Sequence, residues 1–158
     1  ELVSLIRENF PQFGIGVAGY PEKHPEAPGF EDDVRHLAHK VSCGADFVTT
    51  QLFFDNELYF AFVERCRKAG IEVPILPGLL PVLSLAQIRR FSAMCGASLP
   101  NVLEARLEEA DKDGTKEVGA DWAYEQVKGL LEGGAPGFHL YALNKSGAAT
   151  SILERLHH

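Results

Sequence analysis

The chain has 158 residues, 46% of them hydrophobic and 23% charged, which suits one ordinary globular domain long enough to bury a core and excludes extensive disorder. A formal net charge of −7 argues against a nucleic-acid or anionic-membrane surface, no apolar run is long enough to span a bilayer, and the first residues lack the pattern of a signal peptide. Cys43, Cys66 and Cys95 are odd in number, far apart and without metal-ligand spacing, so they read as reduced packing residues of a cytoplasmic protein, and no metal site is expected.

In chain order, Leu2, Leu5 and Ile6 make a short apolar stripe at helical spacing, ended near Asn9 and Pro11. The run from Gly14 to Gly19, with Val17 among small neighbours, predicts a buried strand. The loop after it, broken by Pro21 and Pro25, crowds Tyr20, Glu22, His24 and Glu26 onto the strand's C-terminal end. Parallel α/β folds bind ligands at that end, so a stacking ring, an imidazole and two carboxylates there point to a site. A plain solvated loop with turn prolines is the alternative.

A helix is predicted from about Phe30 to Ser42, with Val34, Leu37, Ala38 and Val41 inward, acidic residues in its first turn and Gly44 as its C-terminal stop. Asp46 to Phe54 reads as the second strand, with Gln51 its polar exception. Asp55 caps a helix from about Glu57 to Ala69, and Val73 to Leu80 is the third strand. Ser84 caps a helix through Cys95, and helical segments follow at Leu99–Glu108 and Lys116–Leu131. Phe138 to Leu143 is the fourth strand and Ala149 to Leu156 a last helix. Strands alternating with helices imply a parallel sheet, either open and doubly wound or part of a closed barrel. No glycine-rich dinucleotide fingerprint follows a strand, which weakens the first option. A full barrel needs about 250 residues, so this chain would supply about half of one.

The segments GVAGYPEKHPEA and GADFVTTQLFFD, followed by ILPGLLPV and FHLYALN, resemble the methylenetetrahydrofolate reductases in order and spacing, over nearly the whole chain. The resemblance implies a (β/α)8 TIM barrel of which residues 1–158 are the C-terminal part, about the last four βα units, with the N-terminal half absent. It implies a flavoprotein that takes hydride from NADH or NADPH onto FAD and passes it to 5,10-methylenetetrahydrofolate, giving 5-methyltetrahydrofolate for one-carbon and methionine metabolism.

Carried over residue by residue, the family pattern sets FAD against Tyr20, His24, Ala27, Asp33, His36, His39 and Lys40. Asp33, His36 and Lys40 share one helix face, where Lys40 can oppose a diphosphate and Asp33 can accept from ribose or adenine. A solvated face with an ordinary ion pair is the plainer account of that helix. The resemblance gives the folate to Gln51, Gln87, Phe91 and Lys145. The amide of Gln51 can donate to and accept from a pterin edge, although a buried glutamine satisfied by neighbouring backbone is as ordinary. Phe91 would stack on the aminobenzoate, or simply pack in the core. Relatives usually carry arginine where Lys145 stands; lysine keeps the charge and loses the planar fork.

The family's general acid and an aspartate near the flavin lie in the earlier strands, so no catalytic residue is assigned within this chain. Glu22 and Glu26 fall inside the cofactor motif and receive no proton-transfer role. A half barrel leaves sheet edges open, which calls for a homo-oligomer or a partner that supplies the missing half, and little activity alone is expected. The alternative is a non-catalytic half-barrel module that binds a partner chain or a nucleotide.

Overall fold

The computed structural model describes residues 2–110, 114–144 and 146–156. Its elements run α1 (Leu2–Asn9), β1 (Gly16–Gly19), α2 (Phe30–Ser42), β2 (Phe47–Thr50), α3 (Asn56–Lys68), β3 (Ile75–Leu76), β4 (Gly78–Leu79), α4 (Leu85–Cys95), α5 (Asn101–Glu109), α6 (Gly114–Glu132), β5 (His139–Leu140) and α7 (Ser146–Leu156). Every strand pair is parallel, as the alternation of strand and helix requires. β1 pairs with β2 in the register Gly16 to Phe47 through Gly19 to Thr50, β2 pairs with β3, and β4 pairs with β5.

The third predicted strand is split at Pro77. Proline has no N–H for the ladder, yet its carbonyl accepts from His139 N at 2.9 Å. The Gly78 N–H turns instead to Thr50 Oγ1 at 2.8 Å. The chain from 75 to 79 thus passes from pairing with β2 to pairing with β5. Gly78 must be glycine here: a Cβ would lie 2.1 Å from the Thr50 carbonyl oxygen and 2.8 Å from the Tyr141 ring. That ring crosses over Gly78 so that its hydroxyl donates to the Thr50 carbonyl at 2.9 Å.

The other strands are also shorter than the sequence predicts. β2 stops at Thr50, so Gln51 stands one residue beyond it in a loop, and β5 keeps only two of the expected residues. The helices match their predicted spans closely because their stop signals work as expected. Asp55 accepts from Glu57 N at 3.0 Å and Ser84 from Gln87 N at 3.2 Å, and Gly44 takes φ +108° after α2.

Two core clusters sit one above the other along the strands. The first packs Val34, Leu37, Val48, Phe62, Ile75 and Leu130 between the strands and α2, α3, α6 and α7. The second gathers Leu52, Phe54, Leu80, Val82, Ile88 and Leu103 at the C-terminal strand ends, beneath α4 and α5. α4 and α5 therefore rest on the face where the first loop also emerges. The apolar stripe of α1 is not a core contact: Leu2 and Leu5 are 69% and 58% exposed, and no residue of α1 is fully buried. Among the described residues, no helix is long and apolar enough to cross a membrane.

Candidate functional site

The loop after β1 is held in one shape by its own residues. Lys23 adopts φ +77°, a left-handed conformation that costs a non-glycine residue about 1–2 kcal/mol. Its ammonium offsets that cost by donating to the carbonyls of His24 at 3.0 Å and Ala27 at 2.6 Å. Two turns, Lys23 N to Tyr20 O and Ala27 N to His24 O, complete the coil. Asp33 Oδ2, in the first turn of α2, accepts from His24 N at 3.1 Å. From α3, Arg65 Nη2 donates to the Pro21 carbonyl at 3.0 Å while its guanidinium lies 4.4 Å over the Phe30 ring.

This arrangement fixes the chemistry of His24. Its Nδ1 accepts from Glu26 N at 3.1 Å, so the neutral ring carries its proton on Nε2 and can donate there. The Tyr20 ring meets the imidazole edge-on with 4.6 Å between centroids. Burial first, then the nearby Asp33 and Cys95, push the Tyr20 hydroxyl above its usual range, which keeps it a neutral donor at physiological pH.

α2 continues from the loop. The ion pair on this helix is Asp32 with Arg35, at 2.5 Å and exposed, and contributes little. Asp33 and Lys40 are not paired with each other; Asp33 serves the loop, and Lys40 forms no ion pair among the described residues. His36 is exposed on the same face as Asp33 and Lys40. His39 lies off that face, with its Nε2 3.7 Å from Cys43 Sγ.

Gln51 stands beside the first loop. Its N–H donates to Gly19 O at 2.8 Å, and its side-chain oxygen accepts from Leu52 N at 2.9 Å, which leaves the –NH2 group to donate. Tyr20, Glu22 and Gln51 pack together with Cys95 and Ala97 at the end of α4, with no room for a water between them. Burial raises the Cys95 thiol above its usual range, so this cysteine is a packing group there, not a nucleophile. Farther along α4, Gln87 has structural work: its oxygen accepts from Leu83 N at 3.3 Å while Ser84 Oγ accepts from Gln87 N, a reach-back resembling a capping box. Gln87 also lines a cleft of about 1200 Å³ between α4, α6 and α7. Phe91 packs on the second core cluster and stays partly exposed.

A loop that presents imidazole and hydroxyl donors is followed by a helix face of carboxylate, imidazole and ammonium groups, and the carboxamide of Gln51 stands beside that loop. The family model described as methylenetetrahydrofolate reductase matches residues 1–157. The chain belongs to the methylenetetrahydrofolate reductase family. It is 40% identical over 158 residues to the 5,10-methylenetetrahydrofolate reductase of Escherichia coli K12, covering 99% of this chain and 53% of that protein. It is 38% identical over 160 residues to a probable methylenetetrahydrofolate reductase (NADPH) of Caenorhabditis elegans, 99% of this chain and 24% of that protein. It is also 38% identical over 168 residues to the methylenetetrahydrofolate reductase (NADH) 1 of Arabidopsis thaliana, 99% of this chain and 28% of that protein. The chain spans about half the length of the bacterial relatives it matches. A solved structure of a Clostridium thermocellum protein that binds two copies of 5-methyl-5,6,7,8-tetrahydrofolic acid shares the fold, with a TM-score of 0.61, 22% identity and coverage of 95% of this chain and 55% of that one.

Of the residues that the reductase resemblance singles out, the structure gathers Tyr20, His24 and Ala27 in one loop, ties Asp33 of α2 to it and sets Gln51 next to Tyr20. Gln87 and Phe91 lie on α4 above the strand ends, while His36, His39 and Lys40 run down α2. Lys145 lies outside the described residues. Sequence reasoning missed Arg65 and the partner of Glu22. Arg65 reaches a loop 44 residues away, and Glu22 meets Ser98 across 76 residues, so no local pattern marks either.

Proposed function

We propose that this chain is the cofactor- and folate-binding half of a (β/α)8-barrel methylenetetrahydrofolate reductase. The whole enzyme would reduce 5,10-methylenetetrahydrofolate to 5-methyltetrahydrofolate with NADH or NADPH through FAD. The observation that carries this reading is the preshaped loop Tyr20–Ala27, whose first residues pack against Gln51. The parallel strands, with loops and α4 gathered over their C-terminal ends, suit the active face of such a barrel. The relatives' names, which carry NADPH or NADH, support the nicotinamide donor.

The donor set fits FAD. His24 Nε2 and Lys40 suit a diphosphate, Asp33 and His36 suit ribose or adenine edges, and Tyr20 and Ala27 offer a ring and a small surface for close approach. His39, turned to Cys43, would act at the margin. FAD when bound supplies the hydride acceptor and donor. The residues of this chain orient it and exclude water, and Gln51 holds the substrate's amide edge through its –NH2 group. Phe91 offers a stacking face, and Gln87 and Lys145 would meet the folate beyond it. No residue here is assigned as the acid. The free cysteines agree with a reducing, cytoplasmic setting.

A second reading, a non-catalytic module that binds a partner chain or nucleotide, is favoured by one feature. β1 pairs on one side only among the described residues, and Leu2, Leu5, Phe10 and Phe13 stand exposed near it. In the barrel reading the same face receives the remaining strands or a second copy. The test is a titration of the FAD-loaded chain with 5-methyltetrahydrofolate. Gln51→Glu, which replaces the donor by a carboxylate, is expected to weaken folate binding about tenfold, a change of about 1.4 kcal/mol. Unchanged folate affinity in that variant contradicts the role of Gln51, and no folate binding by the parent chain favours the module.

A further inference from the structure

The loop Tyr20–Ala27 is anchored in two different ways. Lys23, His24 and Asp33 tie it to itself and to α2, and Arg65 ties it to α3. All of these belong to the layer built on the first core cluster. Glu22 alone among the loop's described side chains hydrogen-bonds to the other layer, which Tyr20 and Pro25 only touch. Its Oε1 and Oε2 accept from Ser98 N at 2.9 and 3.0 Å, and Ser98 Oγ donates to Oε2. A carboxylate that accepts from both groups of one residue fixes direction as well as distance.

Ser98 is itself rigidly placed. α4 ends at Gly96, which takes φ +68°, and Ala97 N folds back to Ser92 O at 3.0 Å. A Cβ on Gly96 would sit 3.6 Å from Pro25 of the same loop, so the two segments also touch there. Any shift of Glu22 is therefore passed to the C-terminal end of α4, the helix that carries Gln87 and Phe91. Helix α4 packs on the second core cluster, separate from the cluster beneath the loop's other anchors.

We propose that Glu22 and Ser98 form a positioning link through which occupation of the dinucleotide loop sets the place of α4, and so of Phe91, before folate arrives. The inference rests on the reading of this loop as the cofactor site. Neither residue touches the reacting atoms; both act through α4. The link predicts positive coupling between the two ligands, reciprocal by thermodynamic necessity.

The test is amide hydrogen exchange of the full chain with FAD alone, so that no folate can bridge the two sites. FAD is expected to slow exchange several-fold in the loop Tyr20–Ala27 and also in Gly96–Leu99 and the last turn of α4. Glu22→Ala and Ser98→Ala are each expected to keep the effect in the loop and lose it at Gly96–Leu99. Arg65→Gln, which loosens the loop without touching α4, is expected to keep both. Protection at Gly96–Leu99 that survives Glu22→Ala overturns the link, as does a parent chain that protects the loop alone. The absence of any FAD effect overturns the cofactor reading, and the link with it.

Discussion

Asp46 shows how a single exposed carboxylate can hold an element that buries little. α1 is fastened by Arg7, whose guanidinium donates to Gly44 O at 2.7 Å and to Asp46 Oδ2 at 2.6 Å, while the same Oδ2 accepts from Ile15 N at 2.7 Å. The Ile15 N–H first, then the Arg7 guanidinium, hold the Asp46 carboxyl below the usual carboxylate range. A lowered carboxyl pKa stabilises the folded state fully above the ordinary value near 4, and that contribution is lost as pH falls through the lowered one. We predict that the NMR amide signals of α1 shift toward random coil below about pH 4, before those of α3 do. Asp46→Asn should loosen α1 already at neutral pH, and coincident acid transitions in both helices would contradict the account. Phe91 is singled out only by the family resemblance, but the polar loop around His24 and the polar exception Gln51 were legible in the sequence. Their partners were not. That Gln87 would spend its oxygen on Leu83 follows from the Ser84 cap three residues earlier, a local signal the sequence does carry.

At the scale of elements, helices were easier to read than strands because their ends are written in single residues. Asp55, Ser84 and Gly44 mark boundaries that the structure keeps. Strand length depends on what lies alongside. Pro77 breaks the third strand where the pairing partner changes, and Thr50 ends β2 because its side chain and carbonyl are taken by Gly78 and Tyr141. Contacts between elements were not visible in the sequence at all, and Gly119 is the sharpest case. It lies within α6, where glycine is otherwise unfavourable, and a Cβ would stand 2.0 Å from the Val82 carbonyl oxygen. Gly119→Ala should therefore destabilise the chain by about 3 kcal/mol, since neither backbone can yield cheaply. For a chain of this size that is a fall in melting temperature of roughly 6–12 °C. Gly147→Ala in α7, where the new Cβ meets nothing within 4 Å, is the control and should leave the melting temperature unchanged or slightly higher. Equal melting temperatures for the two variants would contradict the packing of α6 on the second core layer.

The molecule as a whole is two stacked core layers with different tasks. The lower one joins strands and helices; the upper one carries α4 and α5 above the strand ends and defines the floor of the site. The loop Tyr20–Ala27 rises from the lower layer and is hydrogen-bonded to the upper one through Glu22. β1 is an open strand edge among the described residues, and α1 keeps Leu2 and Leu5 exposed. With a net charge of −7, any anionic ligand of this chain would depend on local donors. On the proposed function, this chain by itself presents a flavin site. The measurement that tests it most directly is the visible absorption spectrum of the chain after incubation with FAD and gel filtration, beside a His24→Ala variant. A flavin band that co-elutes with the parent chain and is lost or much weaker in the variant is the predicted result. A colourless parent chain, or equal flavin on both proteins, would contradict it.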